Sequence, residues 1–99
     1  MPFSVTVLRV KTLEVEALTE QHNFAVIRLP DRKFPGVVVQ GDSLSILVSQ
    51  LRSGLDMIQL GEAGEGAGWI ALVLETLEGA QRIYESALES HLIALPYAT

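Results

Sequence analysis

The sequence predicts an α+β domain: an antiparallel sheet of three to four strands followed by two antiparallel helices packed on one face. Three observations predict it. Apolar residues alternate with period two through most of the first forty positions; the period changes to 3.6 at Gly41-Asp42-Ser43, and the new pattern then persists almost to the C-terminus. The β-prone runs are joined by short polar segments, which favour hairpins over parallel crossovers.

The first candidate strand is Phe3 to Val10, where Phe3, Val5 and Val7 alternate with Ser4 and Thr6. Leu13, Val15 and Ala17 alternate with Glu14 and Glu16 and suggest a second strand with one wet face. Gln21-His22-Asn23 is a turn-forming cluster, and Phe24 to Leu29 forms the next strand. Pro30-Asp31-Arg32-Lys33 suits a hairpin connection. Val37-Val38-Val39 is short and strongly β-prone; Pro35, which has no amide to donate to a ladder, and Gly36 mark its start or an edge. Strands and hairpins together occupy residues 3–40 of a single domain spanning 1–99.

A helix is expected over 43–58. Leu44, Leu47, Val48, Leu51, Leu55 and Ile58 make one apolar stripe, and Asp42 or Ser43 is placed to accept from the free amides of its first turn. Pro35, Gly36, Gly41, Asp42 and Ser43 are thus assigned to the turn and helix cap. Gly54 lies inside this helix and softens it. Residues 61–68 carry four of the chain's eight glycines and are expected to form a mobile loop within the domain. The second helix is expected over 69–92. Ile70, Val73, Leu77, Ala80, Tyr84, Ala87 and His91 line one face, widened by Leu74 and Leu88, with acids opposite and Pro96 beyond its end.

Ninety-nine residues, 48% apolar and 19% charged, describe a globular domain able to build a core. No cysteine is present, so neither disulfides nor thiolate metal sites enter. The first residues lack a basic segment followed by an unbroken apolar run, and no stretch is long and apolar enough to span a bilayer, so a cytoplasmic location is expected. Charge is uneven. Residues 1–41 hold five bases and four acids, whereas residues 42–99 hold two bases and eight acids. Such an acidic half repels phosphate backbones and argues against nucleic acid, while it suits a basic protein partner. Glu75, Glu78, Glu85 and Glu89 on the second helix are the candidate partner-binding residues.

Gly41-Asp42-Ser43-Leu44 spells the signature of GDSL-type esterases. A nucleophilic serine needs a base, a group to orient that base and donors for an oxyanion. That family supplies base and orienter as Asp-x-x-His, yet here Asp31, Asp42 and Asp56 are followed three residues later by Phe34, Ser45 and Gln59. The only asparagine, Asn23, precedes the serine. The motif is better read as a helix start, and no catalytic residue is assigned. His22 and His91 have no carboxylate at metal-ligand spacing, so no metal site is assigned. Arg28, Arg32 and Lys33 flank one turn and read as a solvated hairpin tip. The glycine-rich segment lacks the Gly-Lys-Ser/Thr of a phosphate cradle, and no cofactor is expected. Trp69 and Tyr84 read as core or interface anchors.

The stretch from Asn23 to Leu44, with its Arg28-Leu29-Pro30, Phe34-Pro35-Gly36 and Gln40-Gly41-Asp42-Ser43-Leu44, resembles a family of small bacterial domains of unknown function. Tyr84, Leu88 and Leu95-Pro96-Tyr97 look like the same family's ending, which extends the likeness over residues 13–97. That family has no activity to carry over to any residue. Phe34 to Leu44 also resembles the strand-turn-helix of HicB-type antitoxins, which would imply a module that blocks a toxin by binding it; a C-terminal DNA-binding domain is missing here. Together these features predict a non-enzymatic protein-binding domain, an immunity- or antitoxin-like inhibitor of a basic partner. The alternative is a small homodimeric structural or regulatory protein.

Overall fold

A computed structural model describes residues 9–21 and 23–98. Three strands, β1 (Glu16–Ala17), β2 (Phe24–Arg28) and β3 (Gly36–Val39), precede two helices, α1 (Gly41–Gln59) and α2 (Ala63–Ser90). The sheet is antiparallel in the order β1-β2-β3, with Glu16 opposite Arg28 and Val26 opposite Val37. The two helices pack against each other, and α2 also packs on β2. Most of the first expected strand, residues 3–8, lies outside the described residues, as does His22 in the first turn; Arg9 and Val10 are exposed and not in a strand.

The β-hairpin joining β2 to β3 turns at Leu29-Pro30-Asp31-Arg32, where the Arg32 amide donates to the Leu29 carbonyl. Pro30 supplies its fixed φ, and Asp31 takes the left-handed conformation at φ 64°. That is the type II pattern, in a position that Asp tolerates better than most residues. Val26 is the centre of the sheet and is fully buried. Its amide donates to the Thr19 hydroxyl at 2.9 Å, and its carbonyl accepts from the Leu18 amide at 2.9 Å. With both backbone groups satisfied, it packs in one cluster with Tyr84, Ala87 and Leu88, closed over by Leu18, Ile93 and Leu95.

Helix α1 starts two residues earlier than the apolar pattern suggests. Gln40 holds the capping position in an extended conformation, without a side-chain cap, and its carbonyl accepts from the Leu44 amide at 2.9 Å. Asp42 and Ser43 are therefore inside the first turn and are not caps. Asp42 still complements the helix dipole there, and its carboxylate accepts from the Ser43 amide at 2.8 Å. Gly36 and Gly41 have φ values open to any residue and open space where a Cβ would stand, so neither is required by sterics.

The expected mobile loop at 61–68 is not a loop. Only Leu60, Gly61 and Glu62 separate the helices, and α2 begins at Ala63. Gly61 takes φ 85°; its amide donates to Ile58 and the amide of Glu62 donates to Met57, which together close a complete Schellman cap on α1. Gly66 stays helical because the two helices meet there. A Cβ on Gly66 would stand 2.6 Å from Ile58 Cγ1 and 2.8 Å from the Gly54 carbonyl oxygen, and one on Gly54 would stand 3.2 Å from the Gly66 carbonyl oxygen. Tertiary close packing thus overrides the low helix propensity of glycine.

Helix α2 ends with the same cap built on a poorer residue. Leu92 is left-handed at φ 58°, its amide donates to Glu89 and the amide of Ile93 donates to Leu88. A leucine there carries a steric cost that glycine avoids. His91 sits at the capping position, exposed, with Nδ1 2.8 Å from the Ala87 carbonyl oxygen.

Sheet and helices are tied by Tyr84. Its ring is buried, and its hydroxyl donates to the carbonyl of buried Pro35 at 2.8 Å, joining residues 49 apart in sequence. Burial pushes the Tyr84 hydroxyl above the ordinary tyrosine value of 10.0. Beyond this cluster the core is thin. The Cα radius of gyration is 17.8 Å, against about 13 Å for a compact domain of about 100 residues.

Three expectations concern stability. Gly66→Ala should cost about 1–3 kcal/mol in urea unfolding, whereas Gly64→Ala and Gly68→Ala, which face open space, should each add about 0.5–1 kcal/mol. Leu92→Gly should raise stability by about 1 kcal/mol in the same measurement. Tyr84→Phe should cost about 1–3 kcal/mol by leaving the Pro35 carbonyl unpaired. Because the folded state holds the Tyr84 proton more tightly, the wild-type contribution is complete below pH 10 and is lost as pH rises through the raised folded value; alkaline titration of stability in the two proteins should show this loss shrinking in Tyr84→Phe.

Candidate functional site

Among the described residues, no histidine stands at the Gly41-Asp42-Ser43 turn. Ser43 is half-buried in the first turn of α1, and the adjacent carboxylate of Asp42 is occupied by the Ser43 amide. Asn23 comes near, since its carbonyl accepts from the Gln40 amide at 3.4 Å, and Gln21, Asn23, Gln40 and Asp42 border one open polar hollow. Of those four side chains only Asp42 could take up a proton, and its carboxylate already accepts from the Ser43 amide. His91 is at the far end of α2, bonded to its own helix. Among the described residues no three His, Cys, Asp or Glu side chains come together as metal ligands would, and no helix is long and apolar enough to cross a membrane.

The basic residues of the β2–β3 tip are separated. Arg28 Nε donates to Glu16 Oε1 at 2.7 Å across the β1–β2 pair, and this bond holds the exposed Glu16 carboxyl below its ordinary range. Lys33 Nζ lies 5.2 Å from the centre of the Phe34 ring. They do not converge on an anion.

Among the four candidate glutamates on α2, Glu75, Glu78 and Glu89 are exposed on its outer face, with Arg82 in their midst. Glu85 is partly buried and accepts from the Tyr97 hydroxyl at 3.1 Å, while the Tyr97 ring stacks on Tyr84 at 6.4 Å between centroids. Glu85 is therefore engaged within the chain. The acidic ridge is left with three free members around one base.

A much larger feature lies on the helices. The side of α1 that turns inward is the line Ser43, Leu47, Gln50, Gly54 and Met57, every member buried or half-buried. Most of the apolar stripe expected to pack is instead open: Leu44, Val48, Leu51, Leu55 and Ile58 are 44 to 55% exposed, and only Leu47 is buried. The contact line wins because glycine at 54 lets the helices close further than leucines would. On α2 the inward residues are Gly66, Val73, Ala80, Tyr84, Ala87 and Leu88, while Ile70, Leu74 and Leu77 are 41 to 54% exposed. Both open stripes repeat at alternating spacings of four and three. The sequence therefore contained the signal for this surface, but not which of two neighbouring stripes would face inward.

A groove of about 390 Å³ between β3 and α2 continues the apolar surface, lined by Phe24, Val37, Val39, Leu77, Tyr84 and Tyr97. Strand β3 is itself an edge, its three valines each more than a third exposed. Uncharged helix faces, an apolar groove and an open strand supply docking area.

Comparison with known proteins yields no matching curated protein and no matching solved structure. Residues 10–97 match a family of unknown function, DUF6959. That span reaches three residues further towards the N-terminus than the likeness read from the motif, and it takes in all three strands and both helices. The chain belongs to the DUF6959 family.

Proposed function

We propose that this chain is a non-enzymatic protein-binding domain whose working surface is the uncharged face of the helical hairpin. The observation that carries the reading is the exposure of Leu44, Val48, Leu51, Leu55 and Ile58 as one stripe on α1, beside Ile70, Leu74 and Leu77 on α2. Monomeric proteins rarely leave contiguous apolar patches of more than a few hundred Å² in water, and larger ones mark interaction sites. The form of binding proposed is that of an immunity- or antitoxin-like inhibitor of a basic partner. Net charge −5 and the exposed Glu75, Glu78 and Glu89 support that form, because they would speed encounter with a basic surface before the apolar face seats.

The test is co-purification of the full chain with the products of its adjacent genes, with growth under co-expression as a second readout. A complex and protected growth are expected. The double variant Leu51→Glu, Leu74→Glu should lose both, while Glu75→Gln, Glu78→Gln should slow association and weaken its salt dependence. No complex with any adjacent product, and no protection, removes the inhibitor reading.

A further inference from the structure

The uncharged face has a regular construction that specifies one occupant. On α1 it is the series 44, 48, 51, 55 and 58; on α2 it is the series 63, 67, 70, 74 and 77, which adds exposed Ala63 and Ala67 to the three larger residues. Spacings of four and three in alternation are those of a helix-bundle seam. Each helix of the hairpin thus carries two neighbouring seams, one closed against its partner helix and one open.

The two open seams share a side. At about 100° per residue, the open seam of α1 lies about 70° around from the line through Leu47 and Gly54, and the open seam of α2 lies about 70° around, in the same sense, from the line through Gly66 and Val73. The helices run antiparallel, so these rotations in the chain sense bring both seams to the same side of the hairpin. Ile58, which reaches Gly66, and Ile70, which reaches Gly54, form the inner margin of this face. The result is a two-helix, uncharged surface with the length of α1, 19 residues, or about 28 Å.

We infer that this face is covered by the same face of a second copy of the chain, giving a four-helix bundle about a two-fold axis. The inference rests on reading the hairpin face as a protein-binding surface and names its partner. Three observations select a second copy. The face is built of apolar side chains without a charge among them, and an identical apolar face matches it. Most acids that would repel a second copy stand elsewhere: Asp42 and Asp56 on the far side of α1, and Glu75 and Glu89 on the outer side of α2; Glu78 stands at the margin of the face, with Arg82 one turn further on. The area is also sufficient. A compact monomer of 10.8 kDa exposes about 5,500 Å², whereas this chain exposes 7924 Å². The surplus of roughly 2,400 Å² is shared with the exposed residues 9–17 and the β3 edge, and it leaves room for the about 800 Å² that each partner contributes to a standard interface.

The test is the mass in solution by light scattering from about 1 to 100 µM, read beside the circular dichroism of each variant. The wild type is expected at twice 10.8 kDa, and Leu51→Glu or Leu74→Glu at 10.8 kDa with helical content retained, since both side chains already face water within one chain. A second measurement does not depend on those variants folding. The chain has no cysteine, so Leu51→Cys and Leu74→Cys should be joined into dimers by a short bis-maleimide, and Glu75→Cys should not. A wild type at 10.8 kDa throughout overturns the dimer. If that monomer still binds an adjacent gene product through Leu51 and Leu74, the binding reading stands and only the second copy falls; if it binds nothing, both fall. A dimer in which Glu75→Cys crosslinks and Leu51→Cys does not overturns this interface, and pairing through the β3 edge replaces it.

Discussion

The close approach of α1 and α2 at Gly54 and Gly66 decides what the rest of the molecule exposes. With a carbonyl oxygen of one helix standing where a side chain of the other would begin, the helices come closest at two glycines. A contact line of Ser43, Leu47, Gln50, Gly54 and Met57 buries little apolar area of its own. Its consequence is rotational: each helix is turned so that leucines and isoleucines stand beside the contact and remain in water. The same geometry that closes the hairpin therefore opens its apolar face, and a structure that buries few large side chains within one chain is coherent if that face is completed by another.

The sheet depends on α2 in a different way. Three strands, one of only two residues, are marginal alone. They are held by one buried patch, Val26 against Tyr84 and Leu88, and by the bond from the Tyr84 hydroxyl to the Pro35 carbonyl. Pro35 earns its place through that carbonyl and through ending the ladder, whereas Gly36 beside it has no steric task. Tyr97 stacks behind Tyr84 and takes Glu85, so the C-terminal segment seals the same cluster from outside. The buried cluster thus joins the C-terminal half of α2 to the sheet, while α1 packs on α2.

For function, the informative residues are those without polar partners to converge on. The Gly-Asp-Ser-Leu signature is absorbed into the first turn of a helix, where Asp42 serves an amide and the dipole. The glutamates read as partner-binding are thinned by Arg82 and by the engagement of Glu85, which only the position of Tyr97 reveals. What replaces them as the leading surface is hydrophobic. Both of its stripes were visible as periodicity, and the α1 stripe was read correctly as the mark of a helix; its direction was not visible, because an apolar stripe looks the same whether it faces a core or a partner chain.

The sequence by itself determined the class of the fold, the order of three strands and two helices, the turn at Pro30-Asp31 and the extent of α1 to within two residues at its start. These follow from period, proline and β-branching, which act over a few neighbouring residues. Tertiary structure decided the rest. Glycines 64, 66 and 68 became helix because Gly66 meets Gly54 across the hairpin, and a local tally of propensity contains no such contact. Leu92 accepts a left-handed conformation because Ile93 must return to pack on Leu88. The choice of inward stripe was decided by which pair of helix surfaces could approach most closely. That choice depends on two segments at once, and neither segment carries it alone.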